Sequence, residues 1–140
     1  MPNRGLRRRF ILKCGTRRSL TSTGRHARSD YTRLATSGGQ IDRVTAARLL
    51  FALLVEDMAF SSPRISAEQA KMAVEEFLSQ FDADSRFVTN GNWEDGWTNS
   101  EDGCTAFGPS WEPATNATFD GGVIALDSSR SGVLWLEDED

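Results

Sequence analysis

The C-terminal stretch FDGGVIALDSSRSGVLWLEDED, residues 119–140, decides the fold. Two apolar runs, residues 123–126 and 133–136, flank a polar segment of the length and composition of a β-hairpin connection, residues 127–132. Each run is apolar on both faces: Val123 with Ala125 and Ile124 with Leu126 in the first, Val133 with Trp135 and Leu134 with Leu136 in the second. Strands of that kind are interior and covered on both sides. The rest of the chain must therefore supply two layers of cover.

Just upstream, Gly121-Gly122 predicts a bulge or tight turn that lets the chain enter the hairpin, with a further strand over residues 115–119. Residues 93–113 are polar and turn-rich, yet they hold Trp93, Trp97 and Trp111, residues seldom found where nothing packs. Asn90-Gly91 is a two-residue turn signal, because both positions tolerate positive φ. It closes a short strand over residues 86–89, with a return strand expected from Asn92.

Ser66-Ala-Glu-Gln69 is a capping box: the Ser66 hydroxyl accepts from the Gln69 amide and the Gln69 side chain returns to the Ser66 amide. Apolar residues follow at 70, 73, 74, 77, 78 and 81, one face of a helix, opposite Lys71, Glu75, Glu76 and Gln80. Phe77 and Phe81 are the expected cover for one face of the hairpin, buried together with Trp135. The fold class that results is α+β, one capped amphipathic helix on a small, mostly antiparallel sheet that ends in the C-terminal hairpin. Its predicted extent is residues 65–140.

Charge divides the chain. Residues 1–64 carry 13 basic and 4 acidic side chains, and residues 65–140 carry 3 basic and 16 acidic ones, against a net charge of −4 for the whole. An asymmetry of this size points to segments with different partners or histories. Residues 1–40 hold nine arginines and one lysine against Asp30 alone, with no apolar periodicity, and are expected to be a disordered basic leader. Three readings of it stand: an organellar transit peptide, an arm for nucleic acid, or sequence upstream of a true start at Met58. The paired arginines of residues 7–9 lack the apolar region that an export signal needs.

Residues 41–60 fit an amphipathic helix with Val44, Ala47, Leu50, Phe51, Leu54 and Val55 on its apolar face. Its unbroken apolar run, residues 49–55, is far short of the ~20 residues needed to span a bilayer. Arg43 and Arg48 near its start and Glu56 and Asp57 at its end oppose the helix dipole. A domain confined to residues 65–140 is small for covering both faces of an interior hairpin. Either this helix packs on the open face or the protein pairs as a homodimer.

Residue counts exclude several chemistries. His26, the one histidine, lies in the basic half, so the acidic half has no Ser-His or Cys-His nucleophile pair. Cys14 and Cys104 make no zinc spacing and no disulfide framework, which fits reduced cytoplasmic thiols. Glu94, Asp95, Glu101 and Asp102 cluster in the tryptophan loop, but a calcium loop counted from Asp82 would have Phe87 where glycine is required and Trp93 where glutamate is. Paired carboxylates beside tryptophans also suit sugars, yet no catalytic spacing is fixed. Neither an enzyme nor a cofactor is expected.

A capped helix, a turn-rich tryptophan loop and late strands ending in TFDGGVIALD and GVLWLEDED resemble small acidic bacterial immunity proteins of polymorphic-toxin systems. That resemblance implies a cytoplasmic, non-enzymatic protein that neutralises a basic protein partner. The expected contact residues, from charge and aromatic placement, are Trp93, Glu94, Asp95, Trp97, Glu101, Asp102, Trp111 and the terminal run Glu137, Asp138, Glu139 and Asp140. Tryptophans would anchor and the acidic tail would steer. The competing reading is an organelle-targeted or nucleic-acid-associated protein that uses the arginine-rich leader.

Overall fold

A computed structural model describes residues 9–16, 31–58, 62–91 and 111–139, the first of these as backbone only. In chain order the elements are β1 (Arg9–Thr16), α1 (Tyr31–Ser37), β2 (Gly39–Ile41), α2 (Arg43–Val55), α3 (Ala67–Ser79), β3 (Arg86–Thr89), β4 (Phe119–Leu126) and β5 (Arg130–Asp138). The strands form one sheet in the order β1-β5-β4-β3-β2, with every neighbouring pair antiparallel. The α+β class and the C-terminal hairpin are as the sequence predicts.

The hairpin is longer and tighter than its apolar runs. Asp127 Oδ1 accepts from the amides of Ser129 (2.8 Å) and Arg130 (2.5 Å), and the Asp127 amide donates to the Arg130 carbonyl at 3.0 Å. This side-chain-capped turn starts the β4–β5 pairing at Leu126 and Ser131 rather than beyond Gly132. Gly121 and Gly122 correct the expectation of a bulge or turn, because both lie inside β4, opposite Leu136 and Trp135. A Cβ on Gly122 would sit 2.2 Å from the Leu134 carbonyl oxygen and 2.8 Å from the Trp135 ring. Glycine is there to let the indole lie across the strand.

β4 and β5 are interior and covered on both faces. Phe87, Val123, Ala125, Leu134 and Leu136 pack with α2 and α3, while Val88, Ile124, Leu126, Val133 and Trp135 pack with Tyr31 and Leu34 of α1 and with Ala114. Phe77 and Phe81 meet edge to face at 5.4 Å over Gly132, where any Cβ would strike the Phe81 ring at 2.5 Å. Trp135 is on the other face, edge to face with Tyr31 at 5.3 Å, which corrects its expected burial with the two phenylalanines. Strand alternation is the reason: Trp135 shares a face with Val133, not with Leu134 and Leu136.

α3 follows the sequence closely. Its capping box joins Ser66 and Gln69 in both directions, at 3.1 Å each, and Ala70, Val74, Phe77 and Leu78 are buried. α2 begins on Asp42, whose side chain accepts from the Thr45 amide at 2.7 Å. It buries Ala46, Leu49, Leu50, Leu53 and Leu54, a stripe rotated from the expected one, and leaves Val44 68% exposed and Phe51 at the surface. Arg43 is the first residue of α2, and its side chain reaches across to α3. Its guanidinium donates to the carbonyls of Leu78, Phe81 and Asp82 at 2.7–2.9 Å and lies 5.3 Å from the centre of the Phe87 ring, so it serves the C-terminus of α3.

Residues 31–57 thus belong to the folded unit, which corrects a domain beginning at residue 65. Within the stretch read as a leader, Arg9–Thr16 pairs along β5, and Tyr31 and Leu34 are core residues. The second face that a homodimer was invoked to cover is packed by α1, and the first by α2 as well as α3.

Candidate functional site

One buried acid and one buried amide, Asp120 and Asn90, organise the end of the sheet from which the tryptophan segment departs. Asp120, fully buried, accepts from the amides of Ala114 (2.8 Å) and Thr115 (2.6 Å) through Oδ2 and from the Asn90 side chain (3.1 Å) through Oδ1. Asn90 Nδ2 also donates to the carbonyls of Asp120 (3.1 Å) and Glu112 (3.0 Å). With three acceptors around that nitrogen, the carboxamide has one sensible orientation. The Glu112 amide donates back to the Asn90 carbonyl at 2.7 Å, and Gly91 pairs with Trp111 in an isolated antiparallel bridge. Both ends of residues 92–110 are therefore tied together on a rigid stem. No local pattern marks the role of Asp120, because its partners are spread from Asn90 to Thr115.

Beside the stem runs a groove of about 550 Å³, lined by residues 37–39 and 89–91 together with Leu34, Trp111, Glu112 and Pro113. Trp111 is half-buried and its indole is tilted 34° on the Phe119 ring at 5.6 Å. Glu112 is exposed and paired with Arg33. A smaller cleft, about 290 Å³, lies between Asp82, Asp84, Arg86, Leu126, Asp127 and Ser128. The carboxyl of Asp127 is held below the ordinary aspartate value of 3.8, first by the Ser129 amide and then by that of Arg130.

The expected contact residues divide. Trp93, Glu94, Asp95, Trp97, Glu101, Asp102 and Asp140 lie outside the described residues. Trp111 stands at the stem and lines the groove. Glu137 is half-buried in β5, and Glu139 is exposed, accepting from the Thr118 hydroxyl at 3.0 Å. Asp138 corrects the picture of a solvated tail: it is 0% exposed, and Oδ2 accepts from Arg64 at 2.6 Å and from the Met58 amide at 2.9 Å. Strand β5 simply continues through Asp138, which takes its alternate side chain inward. Arg33–Glu112 and Arg64–Asp138 both join the basic half to the acidic half. Part of the charge division is thus satisfied within the molecule.

Comparison with known family models, curated proteins and solved structures finds no match. Among the described residues, no group of three or more His, Cys, Asp or Glu side chains is placed to hold a metal ion, and no helix is long and apolar enough to cross a membrane.

Proposed function

We propose that this protein is a non-enzymatic recognition module that binds a basic protein partner, in the manner of an immunity or inhibitor protein. The observation that carries the reading is the stem. Asn90, Asp120 and the Gly91–Trp111 bridge fix both ends of a segment whose sequence holds Trp93, Glu94, Asp95, Trp97, Glu101 and Asp102. A rigid base lowers the ordering cost of a binding loop. Tryptophan and carboxylate together match the anchors and the steering charges of an interface for a cationic surface.

With Asp138 buried, the reading rests on this segment rather than on the terminal run. The test is co-expression with each product of the flanking genes. A basic product should co-purify at one-to-one stoichiometry, and should be lost when Glu94, Asp95, Glu101 and Asp102 are neutralised together. Co-purification that survives this neutralisation would refute the assignment of the surface, and the absence of any binding flanking product would count against an immunity role.

A further inference from the structure

We infer that the outer face of α2 is a self-association surface, on which a second copy of this chain packs its own α2 in the antiparallel sense. The inference goes beyond the function proposed above and does not rest on it. The side of α2 turned away from the core carries Val44, Ala47, Arg48, Phe51, Ala52 and Val55. Val44 is 68% exposed and Phe51 37%, Arg48 is exposed, and the other three are half-buried. A face with one charge over about three turns is not built for water. α3, a helix of the same length, shows the contrast: it turns Glu68, Lys71, Glu75 and Glu76 to solvent, with Met72 isolated among them.

Spacing says what kind of surface fits this face. Val44, Arg48, Phe51 and Val55 follow one another at intervals of 4, 3 and 4 residues, the seam that one helix presents to another. Ala47 and Ala52 flank the seam, and side chains so small let a partner helix approach to about 8 Å. The same six positions are self-complementary. In an antiparallel pair with its two-fold axis between residues 49 and 50, Val44 meets Val55 of the second copy, Ala47 meets Ala52, and Arg48 meets Phe51. The last pairing sets a guanidinium on an aromatic ring, a favourable contact that uses the face of the cation and leaves its in-plane N–H groups to other acceptors. A single charged position in such a seam also fixes the register. A two-fold contact of this kind closes on itself as a dimer. Roughly 17 Å of helix is a short seam, so the dimer belongs with the weak, reversible interfaces.

The test is sedimentation velocity of the full chain over about 5–500 µM, where weak interfaces form. The sedimentation coefficient should climb from monomer toward dimer. Val44→Glu should move that climb at least about tenfold higher in concentration, because it places an unpaired carboxylate in the seam. The exposed site predicts an unchanged unfolding midpoint for the same variant at low concentration. Mixing then tests the register. Val44→Glu with Val55→Lys should restore association between the two chains, whereas Val44→Glu with Val44→Lys should not. If lysine at the half-buried position 55 lowers the unfolding midpoint, Ala47→Glu with Ala52→Lys makes the same comparison.

A monomer at every concentration overturns the inference, whether the face then takes a helix of another protein or a lipid surface. Association that Val44→Glu leaves unchanged overturns it as well. So does a mixture in which the like-position pair associates better than the cross-position pair.

Discussion

Arg64→Ala is predicted to destabilise the protein by about 3–5 kcal/mol, the cost of leaving one member of a buried ion pair alone. The structure places this pair at that extreme: the side chains of Arg64 and Asp138 are 8% and 0% exposed and 2.6 Å apart. Without Arg64, the Asp138 carboxylate would keep only the Met58 amide at 2.9 Å, with Oδ1 already unpaired among the described residues. A small domain has roughly 5–15 kcal/mol in all, so the loss is a large share of it. Asp138→Leu should cost a similar amount by stranding the guanidinium. The double variant Arg64→Met with Asp138→Leu should cost far less than the sum, because it removes both charges at once. Urea unfolding with a common slope gives each value. Single-variant costs under about 1 kcal/mol, the range of exposed pairs, or strict additivity in the double variant, would refute the reasoning.

Four further outcomes follow from the same structure. A chain of residues 58–140 lacks α2, with its buried Leu49, Leu50, Leu53 and Leu54, and lacks the Arg43 cap on α3, so it should show no cooperative thermal transition; an unchanged midpoint would contradict this. Phe77→Ala should cost ~3–5 kcal/mol and Glu76→Ala within about 0.5. In double-mutant cycles Tyr31 and Trp135 should couple by about 0.5–1.5 kcal/mol, whereas Phe77 and Trp135, on opposite faces, should be additive. Asp127 has a folded value below its unfolded value, so its stabilisation is present above about 3.8 and is lost as pH falls through the folded value. Asp127→Asn should flatten the acid limb of the stability curve, seen as a smaller drop in midpoint between pH 5 and pH 3.

The sequence was most legible where two local signals agreed. α3 has both a capping box and an unambiguous apolar stripe, and the strand over residues 86–89 is bounded on both sides by breakers. α2 was visible as a helix but not in phase, because its unbroken apolar run, residues 49–55, accommodates two overlapping stripes. For Trp135, strand parity rather than side-chain size decides the partners: alternation separates it from Leu134 and Leu136 and places it with Val133. The roles of Arg43, Asp120 and Asp138 depend on partners distant in sequence, up to 80 residues away for Asp138 and Met58. No local pattern marks such groups. Of the candidate site, the tryptophans and clustered acids were legible as composition, while the stem that fixes them was not, since Asn90 reads locally as a turn residue.

The most direct test of recognition by the acidic tryptophan segment is the association rate with a basic flanking-gene product, measured by stopped flow at two salt concentrations. Wild-type protein should associate quickly at low salt and slow markedly as salt rises, because clustered charge steers encounter and is screened. The variant with Glu94→Gln, Asp95→Asn, Glu101→Gln and Asp102→Asn should associate slowly at both concentrations, with most of the salt dependence gone. Identical rates and identical salt dependence in the two proteins would contradict the account.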